Sequence, residues 1–311
     1  MEIRDLEYFL ACCKAGSFTA AALEVHIVQS AMSSAIARLE HEFGVSLFDR
    51  SVTPVTVTEH GAALQMAAQR ILEAVQAARD DVAAVSGRVR GTVIFGSTLN
   101  TGQLDLATVL AGLRDRHPDV IVQLRQSLAG SAGNLRAVMD GTMDIALTAS
   151  SPDSGSGRPP RGVILTPLVS EPLLFVCPAS HPLGGRPNLT VAELAGETIL
   201  RFPPGWGVRD TVDLVLGADP SAIEIADYGL MLTLVRGRFG TTLMPASAIA
   251  AGHVGLAAVP VSDSRLCWSL SAAISATRQP TAATTALLSA LTEAAAGFPG
   301  PEPESQDDPA R

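Results

Sequence analysis

Between Gln29 and Arg38 the chain sets out side chains with the types and spacing to read nucleic acid. Gln29, Ser30, Ser33, Ser34 and Arg38 share one face of a helix predicted from about Gln29 to Phe43. Met32, Ile36, Leu39 and Phe43 recur on the other face. Short amide and hydroxyl groups near a helix N-terminus suit base edges in a DNA major groove, and an arginine further along suits a phosphate. Arg50 is a second phosphate candidate just beyond the helix. A different chemistry sits in GSTLNTG, residues 96–102, which brings Ser97, Thr98, Asn100 and Thr101 between a strand and a helix start. Backbone N–H groups and the helix dipole favour a bound anion there, although the segment lacks the lysine of a phosphate loop. No G-x-S-x-G elbow is present, and none of the six histidines has metal-ligand spacing. Neither catalysis nor a metal or cofactor is expected.

The elements that must position the first group are short. A helix from about Ile3 to Lys14 carries Ile3, Leu6, Phe9, Leu10 and Cys13 on its apolar stripe. Ser17 marks the start of a second helix, a turn at His26–Ile27–Val28 follows, and Val45, Leu47 and Phe48 cover one side of the three-helix core. Alternation over Val52–Val57 predicts a small hairpin. Thr58–Glu59 then opens a long helix to about Ser86. Leu64, Ala68, Ile71, Val75, Ala78 and Val82 alternate steps of four and three along it, a heptad seam that predicts pairing with a second copy.

The run AAALEVHIVQSAMSSAIARLEHEFGVSLFDR, continued by VTVTEHG, resembles the N-terminal signature of the LysR-type transcriptional regulators. The resemblance implies a winged helix-turn-helix, a linker helix through which two subunits dimerise, and a tetramer built from two such dimers. Three features of this stretch depart from the family pattern. Val28 stands where Ser or Thr usually caps the recognition helix, Ser34 where Arg or Lys is common, and the hairpin has no basic residue after Arg50. From Ser17 to Thr58, Arg38 and Arg50 face Glu24, Glu40, Glu42 and Asp49, so a single module should bind DNA weakly.

Beyond the hinge at Arg88–Gly91, strands and helices alternate: Thr92–Gly96, Gln103–Arg116, Val120–Leu124, Gly133–Asp140 and Met143–Thr148. That order predicts a parallel sheet flanked by helices. The segments GTVIFGSTLNTG, HPDVIVQL and LRAVMDGTMDIAL resemble the regulators' effector-binding region, which has the two-lobed type 2 periplasmic-binding-protein fold. Strands at Val163–Val169 and Leu173–Cys177 lead into a second lobe. There a helix at Thr190–Ala195, strands at Thr198–Phe202, Ile223–Ala226 and Thr241–Met244, and helices at Val208–Leu216 and Leu230–Arg236 are expected. Leu266–Ala276 returns as a strand and Thr281–Ala296 closes as a helix. In the family's Gly-rich turn, Arg238 replaces the usual Gly.

The expected organisation is a DNA-binding domain over 1–58, a linker helix and hinge over 59–90, and an α/β effector domain over 91–296. Its lobe I takes about 91–165 and 265–296, its lobe II about 166–264, and 297–311 form a disordered tail. Ligands of open α/β sheets sit at the carboxyl ends of the strands. The effector is therefore expected at Ser97, Thr98, Asn100, Thr101, Thr148, Phe202 and Trp206, as a small anionic metabolite. The flanking Arg201 and Arg209 are candidates for a carboxylate.

A net charge of −9 and pI near 5.1 suit a chain whose mass mostly does something other than bind DNA. Four scattered cysteines exclude a disulfide framework. The N-terminus lacks the form of a signal peptide, and prolines and glycines break the uncharged run Thr241–Ser262, so a cytoplasmic protein with no membrane span is expected. Promoter DNA, a small-molecule effector, further copies of the chain and RNA polymerase are the expected partners. The alternative is a solute-binding protein on the same two-lobed fold.

Overall fold

A computed structural model describes residues 1–52, 54–84, 88–127, 129–150, 161–249 and 254–298, apart from the side chains of Asp81, Ala83 and Ala84. The expectations for the helix end at Ser86–Gly87, for most of the loop 150–162 and for the tail lie outside the described residues. The chain divides into two compact units, Met1–Ser86 and Gly87–Arg311.

The first unit is built on helices α1 (Ile3–Ala15), α2 (Phe18–Glu24) and α3 (Gln29–Phe43). Ser17 caps α2 through Ala20 N–H, and Gly16 and Gly44 end α1 and α3 in the left-handed conformation. Leu6, Phe9, Met32, Ile36, Leu39 and Phe48 form one buried core. A two-stranded wing, β1 (Phe48–Asp49) with β2 (Thr56–Val57), precedes the long α4 (Glu59–Ala84). The start of α4 lies hard against the residue before β1: a Cβ on Gly61 would stand 2.1 Å from the Leu47 carbonyl oxygen, so only glycine fits. Thr58 fixes the same junction, its Oγ1 donating to the Ser46 carbonyl and accepting from Gly61 N–H.

In the second unit, β3 (Gly91–Ser97) lies between β4 (Val120–Gln126) and β5 (Ile145–Ser150), parallel to both. Helices α5 (Leu106–Arg116) and α6 (Gly130–Asp140) link them. The 16-residue β6 (Val163–Pro178) joins the two lobes: residues Val163–Pro172 pair antiparallel with the return strand β10 (Cys267–Ser275), and Leu173–Pro178 continue into lobe II. The two strands expected from the sequence are thus one, because β10 supplies a continuous ladder across Ser170–Glu171.

Lobe II places β7 (Ile199–Leu200), α7 (Gly207–Leu216), α8 (Tyr228–Arg236) and β8 (Thr241–Pro245) around the end of β6. The strand β9 (Leu256–Pro260) pairs with β6, and α9 (Ala282–Ala295) closes lobe I. The helix expected at Thr190–Ala195 is a 3-10 turn, Val191–Leu194, and the strand expected at Ile223–Ala226 reduces to one bridge between Arg201 and Glu224. Among the described residues no helix is long and apolar enough to cross a membrane.

Candidate functional site: a polar helix face and an aromatic cavity

The polar face of α3 is open. Gln29, Ser30 and Ser34 are exposed and Ser33 is half-buried, while Met32, Ile36 and Leu39 are fully buried beneath. Gln29 Nε2 donates to Ser33 Oγ at 2.9 Å, one turn on, which holds both side chains along the same edge. Val28 occupies the N-cap in extended conformation with no side-chain cap, an omission that typically costs ~1 kcal/mol.

The two arginines expected on phosphates are instead engaged within the unit. Arg38 Nη2 pairs with buried Asp5, and Arg50 Nη2 donates to Glu40 Oε2 at 2.7 Å while its guanidinium lies 5.0 Å from the centre of the Phe18 ring. Each can meet a phosphate only by sharing or leaving its carboxylate.

The heptad seam of α4 also splits. Ala68 is fully buried in the core of the first unit, and Leu64 and Ile71 pack against that core. Their burial is explained by α1, against which α4 lies. Further along, Val75 is half-buried, Ala78 is exposed and Val82 is 73% exposed. Only this second half of the seam is left for another copy.

In the two-lobed unit a narrow cavity of about 30 Å³, room for a few waters, lies between the lobes. Lobe I contributes Thr98, Leu99 and Asn100 after β3, and Gly130 and Ser131 at the start of α6. Lobe II contributes Trp206, Gly207 and Val208 at the start of α7, with Tyr228 at the start of α8; Trp268 of β10 also lines it. Trp206 stacks on Phe202 (5.4 Å, 14°), and Phe202 in turn meets Tyr228 at 4.7 Å. Among the described lining residues none carries a formal charge.

The placement of α6 is set by two buried hydrogen-bonding residues. Asn134 Nδ2 donates to the carbonyls of Ser97, at the end of β3, and of Leu147, within β5, and Ser131 Oγ accepts from Ala149 N–H at 2.8 Å. The helix N-terminus is thereby aimed at the ends of both strands.

Of the residues expected to hold an effector, Thr98, Asn100 and Trp206 line the cavity. Ser97, Thr101, Thr148 and Phe202 do not. The hydroxyls are also committed: Ser97 Oγ donates to the Thr98 carbonyl, Thr98 Oγ1 to the Asn100 carbonyl and Thr101 Oγ1 to the Leu104 carbonyl. Phe202 stands behind Trp206 as its support. Arg201 and Arg209 are buried and bound to Asp213, with Arg209 also donating to Glu224 and the Phe202 carbonyl. They brace the Trp206 loop and do not face a ligand.

Sequence reasoning missed Gly130, Ser131, Tyr228 and Trp268. A signal existed for the first two, since LAGSAG between a strand and a helix is loop-like in composition. Asp227, which caps α8 by accepting from Leu230 N–H, marked Tyr228 as a helix start.

A winged helix-turn-helix in one unit and a two-lobed domain with an interlobe cleft in the other define the class: a DNA-binding regulator that carries an effector-binding domain. The family model of the LysR substrate binding domain matches residues 86–296, and that of the bacterial regulatory helix-turn-helix protein, lysR family, matches residues 3–62. The chain belongs to the LysR family of transcriptional regulators. It is 32% identical over 215 residues to the transcriptional regulator CfxR of Cupriavidus necator, covering 68% of this chain and 64% of that protein. It is 30% identical over 251 residues to a probable hydrogen peroxide-inducible genes activator of Mycobacterium leprae, covering 79% of this chain and 78% of that one. A full-length OxyR variant from Pseudomonas aeruginosa superposes with a TM-score of 0.68 at 21% identity, over 98% of this chain and 99% of that one, which shows the shared fold.

Proposed function

We propose that this regulator reads promoter DNA through Gln29, Ser30, Ser33 and Ser34 of α3, and that a small anionic metabolite in the interlobe cavity sets its activity. The observation that carries the reading is the pairing of an open polar helix face with a cavity whose walls hold two helix N-termini. It acts by binding, in the cytoplasm, as a protein of three parts: a DNA-binding domain over 1–58, a linker helix over 59–90 and an effector domain over 91–296. RNA polymerase is its partner at the promoter.

Because phosphate attraction is poor in one copy, binding requires several copies coupled on one DNA. The exposed end of α4 around Val75, Ala78 and Val82 supplies the dimer contact, and two dimers form the tetramer. Linking modules raises effective affinity by ~100-fold or more without a new contact. Closure of the lobes around the effector shifts the equilibrium between two arrangements, which requires different affinity for each.

Three of the four cysteines give no support for carrying over the peroxide response in the mycobacterial relative's name. Burial pushes the thiol of Cys12 up to about 12 and those of Cys13 and Cys177 up to about 11, so these three stay protonated and weakly nucleophilic. A gel shift on the DNA upstream of the protein's own coding region tests the function. A retarded complex that unrelated duplex does not compete away is expected, and a solute-binding protein on this fold would give none.

A further inference from the structure

Val28 opens the DNA-reading helix with a side chain for which the fold itself has no use. Its isopropyl group is 67% exposed, although Val25 and Ile27 in the same turn pack against the core of the first unit. That difference is built into the turn. Ile27 N–H donates to the Ala22 carbonyl at 2.9 Å and His26 N–H to the Leu23 carbonyl at 3.2 Å, with His26 at φ +57°. The paired closure after α2 is a Schellman motif, in which the residue past the left-handed position folds back on the helix. Ile27 is therefore drawn inward, and Val28, extended at φ −78° and ψ 144°, is left outside next to Gln29.

Stability does not account for a valine here. Val28 is the N-cap of α3, and its carbonyl accepts from Ala31 N–H at 3.0 Å and Met32 N–H at 3.3 Å. Its side chain makes no cap, whereas Ser17, equally extended at the start of α2, accepts from Ala20 N–H. Serine, threonine, asparagine and aspartate all open a helix better than valine. An apolar group left in water adds no burial to offset the missing cap. Only a partner that covers the isopropyl group gives it a use.

The surroundings identify that partner. Gln29 and Ser30 are exposed beside Val28, and Gln29 Nε2 donates to Ser33 Oγ, so the apolar group stands at the end of a polar edge. In the major groove base edges present donors, acceptors and one apolar group, the C5-methyl of thymine. A phosphate would be met better by a hydroxyl. β-Branching also restricts χ1, so little side-chain freedom is lost when the group is covered.

Resting on the regulator reading above, we infer that Val28 is a specificity-determining residue whose isopropyl group packs against a thymine methyl, next to the base that Gln29 contacts. Removing the methyl groups of either partner should weaken binding, and removing both should weaken it little further.

The test measures the affinity of the full chain for its upstream duplex made with thymine or with uracil, which pairs alike and lacks only the methyl. Unrelated duplexes of both kinds correct for the general effect of uracil on DNA shape. The parent should prefer the thymine duplex about fourfold or more, the value of one buried methyl at ~0.8 kcal/mol.

Val28→Ser exchanges the isopropyl group for a hydroxyl. It should lower the thymine-to-uracil ratio about fourfold and raise the midpoint of thermal unfolding, because it supplies the cap. The two changes run in opposite directions, so lost discrimination cannot come from lost folding. Val28→Ala should lower the ratio in the same way if the serine variant folds poorly. The inference is overturned if the parent binds both upstream duplexes equally, or if the variants keep the parent's ratio. A parent that prefers upstream over unrelated DNA but ignores the methyl overturns this inference alone. A parent with no preference for upstream DNA overturns the regulator reading and this inference with it.

Discussion

The guanidinium of Arg38 on α3 is tied to the carboxylate of Asp5 on α1, whose other oxygen accepts from Glu2 N–H at 3.3 Å. Asp5 is 3% exposed, so one buried carboxylate both caps the first helix and anchors the DNA-reading helix to it. The arginine best placed to meet a phosphate is thus held by an internal anion.

Asp5→Asn keeps the shape and removes that anion. The variant should unfold at lower temperature, because α1 loses its charged cap and α3 its tether. It should also bind duplex DNA less weakly at low salt, with the slope of log affinity against log salt steeper by up to ~0.9, the value of one phosphate contact. Fluorescence anisotropy across a salt series measures this. An unchanged slope with unchanged stability would show that the pairing constrains nothing.

Gly61→Ala tests the junction between the wing and α4. A Cβ would overlap the Leu47 carbonyl, so the helix must move away from the segment preceding β1. A cost of about 1–3 kcal/mol is expected, as for other overpacking changes. Urea unfolding of the full chain should show it in the transition of the first unit, and a loss below about 0.5 kcal/mol, the scatter of surface substitutions, would contradict the packing described.

For oligomerisation the informative position is Val82. Ile71 packs on the core of its own unit, so Ile71→Asp confounds folding with pairing. Val82→Asp should leave the circular dichroism spectrum intact and shift sedimentation at micromolar concentration toward the monomer. If the variant sediments as the parent does, this end of α4 is not the dimer contact.

Asp144 supplies a pH signature. Burial, the largest influence, raises its carboxyl above the ordinary value, against the opposing effects of Ile94 N–H and of Arg278 and Arg125. A folded-state value raised above the unfolded one means that the charged form costs stability near neutrality. That cost disappears as pH falls through the raised value into the carboxyl range. Asp144→Asn retains an acceptor for Ile94 N–H, so it should be more stable than the parent at pH 7. The gain should shrink toward about pH 4. A difference constant with pH would remove the burial argument.

Local rules made much of the fold legible. The four and three spacing of Met32, Ile36 and Leu39 marks the buried face of α3, whereas Phe43, next in that series, is exposed at the helix end; Ser17 and Gly44 are caps that short-range chemistry dictates. Arg238 drew notice as a residue replacing glycine, and it adopts φ +62°. Long-range facts were not readable. The heptad seam could not reveal that Leu64, Ala68 and Ile71 serve the core of their own unit, because a helix stripe looks the same whichever surface covers it. Arg38 and Arg50 read as phosphate ligands because their carboxylates, Asp5 and Glu40, come from distant turns. Around the cavity the sequence located the β3 loop and Trp206. It misassigned the donors, since whether Ser97 and Thr98 point outward or close onto their own backbone depends on the turn they form.

The most direct test of the account is the preference of the Gln29→Ala variant for its own upstream DNA over unrelated duplex, measured by anisotropy at one salt concentration. Gln29, exposed on α3 and bonded to the half-buried Ser33, is the proposed base contact, and loss of one good base contact is worth about 1–3 kcal/mol of discrimination. The account predicts that the preference falls about tenfold or more while affinity for unrelated duplex holds. A variant that discriminates as well as the parent would contradict the assignment of α3 as the element that reads the promoter.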